Sequence, residues 1–315
     1  MKRVFLIVVC ALVIAGCVEN NTSDVKVVKN NDSKHIELVW RYLANDSLDA
    51  AMHIINQMLS DDGKDVDALL ALADVYYKQN DYDNILATLN KACEVAPYDS
   101  RPIIKLAELS MIQGNLKLTN AFIDKAIELD VVNPKAYYMR GLVNMAKNDT
   151  AQAMKQFMIA QEQDASFIDP LIQIASIYAA QRDSLAVDYY DLAIKMQPDD
   201  PSLYYAKAMY LQDNGYPETA LKIYDTINVM KPHDYYVLFN QGYVYLVYLL
   251  NYDKAIEYYD KALEIDPKSV DALLNKGRAY EKKGNYRKAK SIYLQILKDN
   301  PNYQLAIDAL HRIGE

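Results

Sequence analysis

With 315 residues, 51% of them apolar and 24% charged, the chain has the composition of a globular protein and can bury a sizeable core. A net charge of −8 sets its surface against phosphate backbones, which excludes generalised nucleic-acid binding, and no dense Lys/Arg run is expected. Of the three cysteines, Cys10 and Cys17 lie in the N-terminal stretch. Cys93 is therefore alone in the remainder, no intramolecular disulfide framework can form there, and it reads as a small buried apolar residue.

The chain opens MKRVFLIVVCALVIAGC. Lys2 and Arg3 precede an unbroken apolar run from Val4 to Ile14, and small residues lead into Cys17, the layout of a secretory signal. A spanning helix needs about 20 apolar residues, and Glu19 stops this run short. The tetrad Ile14-Ala15-Gly16-Cys17 resembles the lipobox of bacterial lipoproteins. That resemblance implies a signal peptide over residues 1–16, removed to leave Cys17 as the lipid-modified N-terminus. Val18, in place of a retention aspartate, then points to the outer membrane, facing the periplasm. Residues 17–31 are rich in Asn, Asp, Ser and Lys, lack helical periodicity, and are expected to form a flexible tether with a reach of about 20–25 Å.

From residue 32 to 302 the chain repeats itself. Small residues recur at Ala73, Ala107, Gly141, Ala175, Ala208, Gly242 and Gly277, spaced 33–35 residues apart. A second ladder runs Ala51, Ile85, Thr119, Ala153, Ala186, Ala220, Ala255, Ala289. A third follows seven residues later, from Met58 to Ile296. Between these two stands a bulky residue on the same helical face: Ile55, Leu89, Ile123, Phe157, Tyr190, Tyr224, Tyr259, Tyr293. Small residues let helices approach, and the bulky ones fill the space between pairs. Pro97, Pro198, Pro232, Pro267 and Pro301 close units, because proline cannot continue a helix interior. Asn80-Asp81, Gly114-Asn115, Asn148-Asp149, Asn214-Gly215 and Gly284-Asn285 mark a turn midway through units. Each unit thus reads helix, turn, helix, turn. The unit near 168 is one residue short, and the one near 235 carries one extra within Leu246–Asn251. Residues 303–315 read as an amphipathic capping helix with Ala306, Leu310 and Ile313 on one face.

This period and pattern resemble the tetratricopeptide repeat, most specifically in Leu273-x-x-Lys276-Gly277-x-x-Tyr280, Ala289, Tyr293 and Pro301. The resemblance implies an all-α fold, an α-solenoid wound as a right-handed superhelix of about eight helix pairs, with first helices lining a concave groove. Projecting those helices places Lys105, Tyr138, Leu142, Met145, Ile172, Tyr205, Met209, Phe239, Asn240, Tyr243 and Arg278 on the groove side. Aromatic and Met side chains there suit a protein partner. The Lys/Asn pattern with which the family captures a C-terminal carboxylate is not found in adjacent units, so an extended or helical apolar segment is the expected ligand.

The histidines His35, His53, His233 and His311 lie far apart without metal-ligand spacing, and no P-loop, HExxH or GxSxG motif occurs. No enzyme activity, cofactor or metal is expected. Asp46-Ser47-Leu48, Asp149-Thr150-Ala151 and Asp183-Ser184-Leu185 resemble O-glycosylation sites of some envelope proteins, while Ser or Thr there also suits an N-cap. The leading expectation is a membrane-anchored scaffold of the bacterial cell envelope that binds a protein segment during assembly, secretion or surface-structure biogenesis. The alternative, prompted by 27 tyrosines, is a module recognising cell-wall polymer or glycan.

Overall fold

The computed structural model describes residues 29–314, with side chains from residue 34 onward. The signal segment and the lipidation residue Cys17 lie outside the described residues. Among the described residues the protein is entirely α-helical, apart from one π-helical segment, and is an α-solenoid of paired helices. The chain divides at Pro97/Tyr98 into two compact units, although the repeat spacing runs through this point unbroken.

The first unit holds α1 (Lys29–Ala44), α2 (Leu48–Asp61), α3 (Val66–Lys78) and α4 (Tyr82–Val95). Helix α1 begins three residues before the expected start at 32, so the end of the expected tether is helical. The stripe Ile36, Val39 and Leu43 packs on Ala51, Ile55 and Met58, and a helix anchored this way extends outward through polar residues. Cys93 is half-buried on α4.

The second unit holds α5 (Ser100–Ile112), α6 (Leu116–Leu129), α7 (Pro134–Ala146), α8 (Thr150–Gln163), α9 (Ile168–Ala180), α10 (Leu185–Met196), α11 (Pro201–Asp213), α12 (Pro217–Met230) and α13 (Tyr235–Tyr243). The π-helical segment Val244–Tyr248 follows, then α14 (Tyr252–Ile265), α15 (Val270–Lys282), α16 (Tyr286–Asp299) and α17 (Gln304–Gly314). Helix α17 lays Ala306, Ala309, Leu310 and Ile313 over Tyr293 and Ile296 of the last pair.

Side-chain chemistry starts most of these helices. Asp81, Asn115, Asp149, Asn251 and Asn285 each accept a hydrogen bond from the backbone N–H three residues on, at 3.1–3.2 Å. Ser47 and Ser184 hold the expected N-cap position without its hydrogen bond, while in the third Asp-Ser/Thr turn the cap is Asp149 in place of Thr150, which is the first helical residue. In the turn within every pair one residue takes the left-handed conformation: Gly114, Gly215 and Gly284, but also Asp46, Asn80, Asn148, Arg182 and Leu250.

Within pairs, the small-residue ladder faces the bulky one. A Cβ on Gly141 would stand 2.3 Å from the Phe157 ring, on Gly242 2.9 Å from Tyr259, and on Gly277 2.4 Å from Tyr293. Glycine there makes room for an aromatic ring. Between pairs, second helices of the second unit reach forward to the next first helix through Asp124–Arg140, Asp191–Lys207 and Asp260–Lys276. These pairs reach the surface on the carboxylate side, each contributing about 0–1 kcal/mol.

The two spacing irregularities have different outcomes. In the short unit, Ala186 and Val187 donate to the carbonyls of Asp183 and Ser184, three residues back, so the lost residue is absorbed in a tightened first turn of α10. In the long unit, the extra residue widens the end of α13 into the π-helical segment.

Candidate functional site

All the expected groove residues belong to the second unit and to its first helices. Tyr138, Ile172, Tyr205 and Phe239 hold one register position on α7, α9, α11 and α13, spaced 34, 33 and 34 residues apart. Each is half-buried, whereas the same position in the flanking helices is taken by fully buried Ile104 and Leu274. So four consecutive first helices present a large side chain that the fold covers only in part.

Around α11 and α13 these side chains meet. The Asn240 amide donates to the Tyr205 hydroxyl at 2.7 Å and to Met209 Sδ at 3.4 Å. Tyr224, reaching between the two helices from behind, donates to Gln212 Oε1 at 3.1 Å and to the same sulfur at 3.2 Å. Burial raises the pKa of Tyr205, with the Asn240 hydrogen bond opposing it, and burial raises that of Tyr224 further. Both phenols are therefore neutral at any physiological pH and act as hydrogen-bonding groups.

Farther along, Phe239 stacks on Tyr235 with ring centres 5.9 Å apart and meets the edge of Tyr259 at 5.7 Å. Tyr235 shares a 2.5 Å hydrogen bond with Ser269. Tyr243 lies against Tyr248 in edge-on contact. Arg278 donates to the Asn275 amide oxygen at 3.2 Å. The Tyr259 hydroxyl is buried and has no hydrogen-bond partner.

The remaining expected residues stand apart from this network. Tyr138 packs between Phe157 and Phe167, and burial, then the Asp169 carboxylate, raise its pKa. Leu142 rests on the buried cluster around Phe157, Ile174 and Ile177. Ile172 and Lys105 are half-buried on α9 and α5, and Met145 is 37% exposed near the end of α7.

Gln212 and Gln241 were not singled out from the sequence. Gln241 is fully buried, donates to Asp225 at 2.8 Å and accepts from Asn228 at 2.9 Å. It replaces the cation that Arg140, Lys207 and Lys276 supply at the same position of other repeats, and that break in pattern was available to find it.

Comparison with known proteins agrees with the helical-repeat fold. Tetratricopeptide repeat models match residues 205–270 and 251–312, and a model described as the TT21 fifth ARM repeats domain matches residues 66–179. The ycf37 protein of Guillardia theta is 33% identical over 36% of this chain and 65% of its own length. That of Cyanophora paradoxa is 30% identical over 49% of this chain and 83% of its own. A TPR repeat-containing protein of Methanocaldococcus jannaschii is 23% identical over 90% of this chain and 45% of its own length. The chain thus spans less than two thirds of the length of the Guillardia and Methanocaldococcus relatives. Among solved structures, YrrB, described as a TPR protein with an unusual peptide-binding site, is 28% identical with a TM-score of 0.50, covering 59% of this chain and 95% of YrrB. PilW, described as a type IV pilus biogenesis factor, shares the fold at 16% identity and a TM-score of 0.56, covering 67% of this chain and 98% of its own.

Proposed function

Because the chain carries tetratricopeptide repeats, we propose that it is a scaffold of the bacterial cell envelope, held to a membrane by lipid on Cys17, whose first-helix face in the second unit grips a segment of a partner protein. One observation carries the binding reading: the half-covered row Tyr138, Ile172, Tyr205 and Phe239 on successive helices. Such side chains bring large contact area at low ordering cost, the quality of interface anchors. Beside them, the neutral hydroxyl of Tyr205 and the amide of Asn240 offer donors and acceptors to a main chain or polar side chain. The peptide-binding site in YrrB's description supports a peptide as the class of ligand. A task in assembly, secretion or surface-structure biogenesis fits a scaffold so placed.

A photoreactive residue at Met145 or Tyr243, on this face, is compared in intact cells with one at the exposed Leu192 of the second helix α10. Protein adducts are expected from the first two positions and not from Leu192. Equal adducts from all three, or cell-wall polymer in place of protein, would overturn the reading.

A further inference from the structure

The turns joining α13 to α14 and α15 to α16 lie side by side on one edge of the second unit, linked by the Lys283–Asp253 ion pair. This edge departs from the acidic character of the chain. Residues 282–290, KKGNYRKAK, carry five cations and no carboxylate, a dense basic run contrary to the expectation from overall charge. All five cations are exposed. Lys283 is taken by Asp253, and Lys288 lies over the Tyr280 ring, 5.1 Å from its centre. Lys282, Arg287 and Lys290 form no ion pair among the described residues. The one carboxylate flanking the run, Glu281, is held by Arg312 at 2.6 Å.

Large apolar side chains stand out among these charges. Tyr286 is 56% exposed at the start of α16. Nearby, Val247 in the π-helical segment is 43% exposed and Leu250 on the turn after it 61%. Leu250 also takes the left-handed conformation, φ 52°, at the position that Gly114, Gly215 and Gly284 occupy in other repeats. For a residue with a Cβ this conformation costs about 1–2 kcal/mol. The fold receives no burial in return, since the side chain points to solvent. Two exposed aliphatic side chains, one at the end of the π-helical segment and one on the turn after it, thus stand beside a cationic cluster.

We propose that this edge docks on an anionic lipid bilayer, with Lys282, Arg287 and Lys288 against headgroup phosphates and Val247, Leu250 and Tyr286 set into the interface. Charge complementarity and the kind of apolar group select this occupant. Cations near a membrane surface contribute about 1 kcal/mol each, and aromatic and aliphatic tips at headgroup depth bury area besides. A nucleic acid would use flat rings for stacking, and Val247 and Leu250 have none. The inference does not depend on groove binding or on a lipid at Cys17.

The full chain carrying Trp40→Phe and Tyr286→Trp has its single tryptophan on this edge. It is mixed with vesicles of phosphatidylcholine alone, or with added phosphatidylglycerol, whose acyl chains are brominated. The introduced indole reads the edge itself, so a chain held only by its N-terminus leaves the signal unchanged. A blue shift and bromine quenching are expected with the anionic vesicles, reversed by salt. Lys282→Gln/Arg287→Gln/Lys288→Gln is expected to weaken the transition about a hundredfold, and Leu250→Ser about tenfold, each with an unchanged circular-dichroism melt. Indole emission that stays unshifted on anionic vesicles overturns the proposal, as does equal quenching on neutral ones. A response to polyuridylate or polyglutamate without one to vesicles overturns it too, by assigning the edge to a soluble polyanion.

Discussion

Three of the four tyrosines in the bulky ladder have different fates for their hydroxyls. Tyr224 donates to Gln212 and Tyr293 to Glu281 at 2.8 Å, each twelve residues back. Twelve back from Tyr259 stands Val247, and that hydroxyl has no partner. A buried unsatisfied hydroxyl costs about 1–3 kcal/mol. Tyr259→Phe should therefore leave stability unchanged or raise it by about 1 kcal/mol, while Tyr293→Phe lowers it by about 1 kcal/mol in urea denaturation. The same assay checks Gly141→Ala, expected to cost about 1–3 kcal/mol because its Cβ would drive into the Phe157 ring. Shortening that ring in Gly141→Ala/Phe157→Leu should recover part of the loss. The ladders made these positions legible in sequence, since spacing alone puts Gly141 opposite Phe157. Which hydroxyl lacks a partner was not legible, because it depends on a one-residue shift in the facing helix.

At the scale of elements, spacing located both irregularities but not their form. A surplus residue can widen a helix or lengthen a loop, and only packing decides. Here Val244 and Leu246 stay buried through the widened turn, so the burial pattern is kept and Leu250 takes the strain. Leu250→Gly should relieve it and stabilise by about 1 kcal/mol, read as a raised melting temperature. The junction of α15, α16 and α17 is pH-dependent. The Arg312 hydrogen bond, reinforced by Tyr293, holds the Glu281 carboxyl below its ordinary value of 4.5 against the opposing effect of burial. Its contribution to stability is complete above that ordinary value and is lost as pH falls through the lowered one. The protection of α17 amides, measured against their intrinsic exchange rate at each pH, should fall on acidification below about pH 4.5, and Glu281→Gln should show the lowered protection already at neutral pH and lose that part of the acid response.

At the scale of the whole molecule, sequence periodicity yielded the helical pairs, their order and the placement of the candidate contact residues on first helices. It did not yield how far those residues are engaged with one another. Tyr205, Met209 and Asn240 are residues from two helices joined by hydrogen bonds, and pairings across a 35-residue separation follow from the packing angle of neighbours, which periodicity leaves open. The division at Pro97/Tyr98 was equally hidden, since repeat spacing is the same on both sides. Deleting residues 303–315 should uncover Tyr293, Ile296 and Leu297 and drive self-association at micromolar concentration, seen by light scattering. The glycine and the ring it accommodates are always neighbours within one helix pair, never across two. Gene rearrangements that splice at the boundaries between pairs carry both halves of the fit together, whereas a splice at the mid-pair turn parts them. The protein can therefore lengthen or shorten by whole modules without parting any of these glycines from its ring.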